Sequence, residues 1–217
     1  MINYLATQKN WQNAFSDTIT SFAELAQALD LPIDSFDSQV GQFPLKVPRR
    51  FVQKMGKGDI HDPLLKQVLP TFQETVQVTG FVTDPLDEQH ANPVKGIIHK
   101  YASRVLIPVT GACVVNCRYC FRQHFDYHEN LPTQNDWQAI SAYITAHPAV
   151  NEVILSGGDP LSLSNRRLLE IFTTLEALPQ VQTIRIHTRV PVMIPERLDE
   201  PLLARLANSR CHIVMVI

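Results

Sequence analysis

Apolar residues recur along the chain in two rhythms, and the change between them falls near Lys100. Before it, Trp11, Phe15, Phe22, Leu25, Ala26 and Leu29 stand at helical spacing. Ser21 followed by Glu24 forms a capping-box pattern that splits this run into two short helices. A loop-like stretch passes through Pro32 and Pro44, and Pro48 then opens a basic helix over Arg49 to Met55 that stops at Gly56-Lys57-Gly58. Asp62-Pro63 caps and starts another helix, which ends at Pro70. From Arg104 the rhythm alternates: strand at RVLIPV, helix over Thr133 to His147, strand at NEVILS from Asn151, helix over Ser164 to Leu178. A strand at TIRIHT, a helix from Asp199 to about Asn208 and a strand at CHIVMVI complete it. Strands joined by helices of this length lie parallel with right-handed crossovers, either in a doubly wound open sheet or in part of a barrel. The strands read as apolar on both faces, which predicts burial on both sides. The expected organisation is a helical region over 1–100 and an α/β region over 101–217.

The chain ends at Ile217, inside an apolar strand with no helix after it to cover the sheet edge, so the sequence reads as a fragment of a longer protein. Its 217 residues, 45% hydrophobic and 18% charged, are ordinary globular usage and exclude a low-complexity or disordered chain. The longest apolar runs, Val105 to Val109 and Ile213 to Ile217, are too short to span a bilayer. The opening MINYLATQKNW has no basic segment followed by an apolar one, so a cytoplasmic location is expected. With 19 basic and 21 acidic residues and no aromatic-basic repeat, the composition gives no pull toward nucleic acid. The run Arg49, Arg50, Lys54 and Lys57 is either a docking patch for an acidic partner or a solvated helix face.

The sharpest chemical signal is Cys113-x-x-x-Cys117-x-x-Cys120, directly after the first strand of the alternating region, with Cys211 far off and alone. Three soft thiolates so close in sequence suit one metal centre, and the carboxyl end of a parallel strand is where such folds place their chemistry. A cubane iron–sulfur cluster takes four thiolates, so three leave one iron open to another ligand. The competing reading is zinc, with His124 completing a CxxxCxxCxxxH set.

The CxxxCxxC segment resembles the signature of the radical S-adenosylmethionine superfamily. HKYASRVLIPVTGACVVNCRYCFRQHF, EVILSGGDPL and IRIHTRVPVMIPERL resemble its lysine 2,3-aminomutase family over roughly residues 40 to 217. NWQ, FPLKVPRRFV and DPLLKQVLP are most similar to the subgroup acting on a lysine of elongation factor P. The resemblance implies a partial (βα) barrel preceded by the helical region, and an isomerase that moves the α-amino group of a lysine to its β-carbon. Free L-lysine is the alternative substrate, and a zinc-stabilised binding module the alternative of another class.

The resemblance also implies a 4Fe-4S cluster on Cys113, Cys117 and Cys120, whose open iron chelates S-adenosyl-L-methionine and starts its cleavage to a 5'-deoxyadenosyl radical. Phe121 then shields the cluster or packs near adenine, or serves the core. Ser156, Gly157, Gly158 and Asp159 receive the methionyl amino group, with a tight turn and a carboxylate for an ammonium. Arg189 takes the S-adenosylmethionine carboxylate, while His187 is a strand residue. Pyridoxal 5'-phosphate is the further cofactor implied, with Tyr101 and Arg104 around its ring and phosphate and Lys100 as another cation. Arg122 matches the position that pairs with a substrate carboxylate. A flavodoxin or ferredoxin is the implied reductant. The pyridoxal-binding lysine of the family falls beyond residue 217, so these residues alone are expected to be inactive.

Overall fold

The computed structural model describes residues 11–37 and 43–217; Asn10 of the NWQ stretch lies outside the described residues. The chain divides into two compact units, one of residues 1–85, 114–123 and 193–196, the other of residues 86–113, 124–192 and 197–217.

In the first unit residues 11–16 are helical, and helix α1, Phe22–Leu29, ends on Asp30 in the left-handed conformation. Ser21 has the extended backbone of an N-cap, but its side chain makes no capping bond. The expected capping box is absent because Glu24 pairs instead with Arg49, a charge-assisted partner that outweighs a backbone N–H. Strands β1 (Thr18–Ile19) and β2 (Val47–Pro48) pair antiparallel, and the basic helix α2, Arg49–Val52, follows at once. The helix expected from Asp62 is shorter than its sequence suggests, a 3-10 turn at Leu65–Gln67. Burial alone would raise the Asp62 carboxyl, but the backbone N–H groups of Gly56, Leu65 and Leu64 outweigh it and hold it below its ordinary value. Ile19, Leu25, Leu29, Val47, Phe51, Leu65 and Val68 are buried. Three of the four residues of the basic run are engaged at home: Arg49 also pairs with Asp17, Arg50 with Glu196 and Lys57 with Asp30.

The second unit is built on a five-stranded sheet in the order β3 (Ile98–Tyr101), β4 (Arg104–Thr110), β5 (Glu152–Gly157), β6 (Thr183–His187), β7 (His212–Val216). The last four strands run parallel, with Val105 beside Val153, Val153 beside Ile184 and Ile184 beside Ile213. Helices α3 (Asp136–Ala146), α4 (Asn165–Glu176) and α5 (Glu200–Ala207) make the crossovers, within a few residues of the ends read from the sequence. Ser164 and Asp199 accept the backbone N–H groups of Arg167 and Leu202, so two of the three helix starts are side-chain capped. The strand order follows the chain without reversal, and consecutive helices pack together, α3 on α4 and α4 on α5. With right-handed crossovers this puts all three helices on one face, a singly wound sheet as in a barrel rather than a doubly wound one.

Two expectations are corrected here. The strands are not buried on both faces: Val105, Ile107, Val153, Leu155, Ile184 and Ile186 are at most 1% exposed, while the alternate Leu106, Ile154 and Arg185 are half-buried. The sheet also starts one strand earlier. Ile98–Tyr101 forms an antiparallel hairpin with β4, turning at Ala102-Ser103, so Tyr101 and Arg104 face each other as a cross-strand pair. The strand IHKY is too short and too mixed to show a period of two.

Glu176 ties the helical layer together, since Arg205 donates to both its oxygens at 3.1 and 2.8 Å and Ser209 donates a third bond. Burial would raise its carboxyl, but these partners, with Arg210 nearby, hold it below the ordinary 4.5. Its contribution is therefore complete above pH 4.5 and fades as pH falls through the lower folded value. Glu176→Gln is expected to cost about 1–2 kcal/mol at pH 7 in urea unfolding. The gap to the unsubstituted protein should close below pH 4.5; a gap independent of pH would contradict the assignment.

Candidate active site

At the carboxyl end of β5 the chain turns through Ser156-Gly157-Gly158-Asp159 against the backbone leaving β4. Gly157 has φ +109°, a conformation that a side chain resists, and a Cβ there would stand 2.5 Å from the Thr110 carbonyl oxygen. A Cβ on Gly158 would stand 2.4 Å from the Ala112 carbonyl oxygen and 2.7 Å from the Gly111 carbonyl carbon. Two hydrogen bonds close the joint, from Gly158 N–H to Thr110 O at 2.6 Å and from Asp159 N–H to Ala112 O at 2.9 Å. Ala112 leads directly into Cys113, so the glycine turn fixes the backbone from which the cysteine segment departs.

Asp159, 3% exposed, accepts four bonds. Its Oδ1 takes Leu161 N–H at 2.9 Å and the Thr188 hydroxyl at 2.6 Å, and its Oδ2 takes Arg189 N–H at 2.6 Å and Val190 N–H at 3.1 Å. The expectation that this carboxylate is open to an ammonium is corrected, because its acceptor capacity is filled by the loops after β5 and β6. Burial dominates and pushes the carboxyl above its ordinary value despite these donors. Behind it Arg197, fully buried, donates from Nε to Leu161 O at 2.7 Å and from Nη2 to Leu163 O at 3.0 Å. Burial lowers this guanidinium to about 10, against the pull of Asp199 and Asp159. Arg197 lies within the segment IRIHTRVPVMIPERL, but only its place in space reveals what it does.

The cysteine segment is held by the residues between its cysteines. In the first unit Asn116 N–H donates to Lys46 O at 2.9 Å and its side chain to Pro44 O at 2.9 Å. Arg118 N–H donates to Gln67 O at 2.8 Å, and its guanidinium forks onto Glu74 and lies over the Phe43 ring. Val114 and Val115 are buried, whereas Cys113, Cys117 and Cys120 are each partly exposed and in no disulfide. Cys120 N–H turns back to Cys117 O at 3.0 Å. Among the described residues no three His, Cys, Asp or Glu side chains are already gathered as a metal cage, and His124, the fourth ligand of the zinc reading, is exposed. The donor chemistry fits a soft metal: three partly exposed thiols on one anchored loop, none in a disulfide. Cys211 is different, a buried thiol raised by desolvation and bonded to Val181 O, and serves the core.

Of the other expected residues, Arg122 is 7% exposed with its guanidinium over the half-exposed Phe121 ring. Arg189 is half-buried beside the Asp159 carboxylate that fixes its backbone. Lys100 donates to the Leu86 carbonyl. Tyr101, 65% exposed, has the Arg104 guanidinium 5.7 Å from its ring centroid.

A singly wound parallel sheet whose first parallel strand runs into a three-cysteine loop, seated on a double-glycine turn, defines a (βα) scaffold with a cysteine loop at its strand ends. The chain belongs to the Radical SAM superfamily, which matches residues 107–216. It is 44% identical over 212 residues to the L-lysine 2,3-aminomutase of Haemophilus influenzae, covering 96% of this chain and 63% of that protein. To the L-lysine 2,3-aminomutase of Escherichia coli it is 42% identical over 214 residues, covering 97% and 62%. To that of Clostridium subterminale it is 31% identical over 202 residues, covering 91% and 48%. The chain thus spans a little under two thirds of the length of its nearer relatives here.

Gly158→Ala is expected to lower unfolding stability by about 1–3 kcal/mol, because backbone and not a flexible side chain must yield. Gly157→Ala should cost more, since its φ adds strain of about 1–3 kcal/mol. Gly56→Ala, whose Cβ would meet Asp62 at 3.4 Å and Asp59 at 3.7 Å, is the control expected to stay within about 0.5 kcal/mol. Equal effects at all three sites in urea unfolding would contradict the close-docking account.

Proposed function

We propose that this chain is the S-adenosylmethionine-binding part of an isomerase that moves the α-amino group of a lysine to its β-carbon. What carries the reading is the joint between the glycine turn and the backbone entering CxxxCxxC, in a chain 44% identical to a lysine 2,3-aminomutase across nearly its whole length. In this reading Cys113, Cys117 and Cys120 hold a 4Fe-4S cluster with one iron open. The backbone of Ser156, Gly157 and Gly158 receives the amino group of S-adenosylmethionine. Arg189 takes its carboxylate, and Asp159 and Arg197 fix the turn that presents these groups. When bound, the cluster supplies one-electron cleavage of the sulfonium and pyridoxal 5'-phosphate supplies a seat for the migrating amine.

Tyr101 and Arg104 suit the pyridoxal ring and phosphate, an exposed aromatic face beside a forked cation. Their station is on the same sheet face as Ser156 but at the other end of the strands. Arg104 pairs in register with Glu152, and Glu152 to Ser156 is four residues, about 13 Å of strand. Two ligands held at these stations leave the length of one amino-acid substrate between them. Arg122 is the proposed partner of a substrate carboxylate. A lysine of elongation factor P is the substrate, on the likeness of NWQ, FPLKVPRRFV and DPLLKQVLP to that subgroup, with a flavodoxin or ferredoxin as reductant and the cytoplasm as the place of action. In this reading the division is a helical region over 1–100 and a partial barrel over 101–217, and these 217 residues bind S-adenosylmethionine without turning over lysine.

The test is product analysis on the whole protein under reducing, oxygen-free conditions, offered elongation factor P or free lysine. A β-lysine residue in the protein substrate is the expected result. β-Lysine from free lysine alone would replace the protein substrate by the amino acid, and neither product with both cofactors bound would overturn the isomerase reading.

A further inference from the structure

At the amino end of the parallel strands, on the face away from the helices, two arginines share one carboxylate. Arg185 on β6 donates from Nη2 to Glu152 Oε2 at 2.9 Å. Arg104 on β4 stands on the other side of the same carboxylate, with its Nε 3.8 Å from Glu152 Oε1, within ion-pair range but too far for a hydrogen bond. Both of those facing atoms, Arg104 Nε and Glu152 Oε1, are buried and without a hydrogen-bond partner. The Glu152 side chain is 14% exposed and that of Arg104 43%. The near end of Arg104 is thus enclosed, while its outer nitrogens have no hydrogen-bonded partner among the described residues and open beside Tyr101.

This is an unfinished pair: a carboxylate and a guanidinium with complementary unfilled positions, kept one ångström short of bonding by a second arginine that holds the carboxylate more tightly. We propose that Arg185 is a positioning residue, which by retaining Glu152 keeps Arg104 from being neutralised and leaves its fork open to a phosphate monoester. Two cations against one anion leave a surplus positive charge at Arg104 for a dianion. Without Arg185 the carboxylate has one remaining cation within reach, and closing on Arg104 fills the Nε position and cancels the surplus. Charge and geometry then act in the same direction, against the ligand. The inference rests on the pyridoxal reading above and deepens it by naming the residue that keeps the phosphate station open.

The experiment is titration of the whole protein with pyridoxal 5'-phosphate and, separately, with pyridoxal, followed by the absorbance and fluorescence of the ring. Arg185→Met is expected to weaken pyridoxal 5'-phosphate at least about tenfold while moving pyridoxal by less than about twofold, since only the former carries the dianion. The double substitution Arg185→Met with Glu152→Gln removes the competitor and should restore affinity to within about threefold, a rescue that general loss of structure would not give. Arg185→Lys, which still holds Glu152, should stay close to the unsubstituted protein. If Arg185→Met does not fold, Glu152→Gln alone is decisive, because affinity should then hold or rise, and a loss would overturn the inference. Arg185→Met within about twofold of the parent, or a double variant as weak as Arg185→Met alone, would overturn it as well. No binding to the unsubstituted protein would overturn the pyridoxal reading and this inference with it.

Discussion

Two peptide backbones meet at the end of β5 with no room for a side chain between them. Cβ atoms on Gly157 and Gly158 would fall 2.5 and 2.4 Å from carbonyl oxygens of the segment that leaves β4, a distance no packed atom tolerates. The rest of the described site follows from this approach. The turn can dock only as glycine, docking presents its N–H groups to the Thr110 and Ala112 carbonyls, and Ala112 is the residue before Cys113. Asp159 and Arg197 then hold the turn from behind, the first by four bonds to the loops after β5 and β6, the second by two to the carbonyls of Leu161 and Leu163.

The first unit has a comparable economy. Asn116 and Arg118, between the cysteines, bond to the carbonyls of Phe43, Pro44, Lys46 and Gln67 and to Glu74. The amino-terminal stretches FPLK and DPLLKQ therefore serve the cysteine loop through backbone oxygens, which accept whatever side chains their residues carry. The basic residues beside them are taken up by Asp17, Glu24, Asp30 and Glu196, and so form internal ion pairs.

Much of this was legible from the residues. The βα alternation beyond Arg104 is a period-two and period-3.6 signal with Ser164 and Asp199 as caps, and the strands and helices lie where that signal puts them. Parallel order and one-sided helices decide between a barrel-like and a doubly wound sheet, and only the pairing shows that order. The hairpin Ile98–Tyr101 escaped because four mixed residues carry no period, and the capping box at Ser21 failed because Arg49, far away in sequence, draws Glu24. At the site the cysteines and the glycine turn could be read locally. Arg197 and the Arg104–Glu152–Arg185 group could not, since each depends on residues from separate strands or loops meeting in space. Asp159 was visible as a carboxylate, but a sequence cannot count the donors that fill it.

In the proposed function the loop anchored by this glycine turn holds an iron–sulfur cluster with an open iron. The most direct measurement is on protein purified without oxygen: iron, sulfide and zinc are counted, and the electron paramagnetic resonance spectrum of the reduced protein is recorded with and without S-adenosylmethionine. A cubane signal is expected that changes when S-adenosylmethionine is added and is lost when Cys113, Cys117 or Cys120 is replaced by Ala. Stoichiometric zinc with no such signal after reconstitution with iron and sulfide would contradict it.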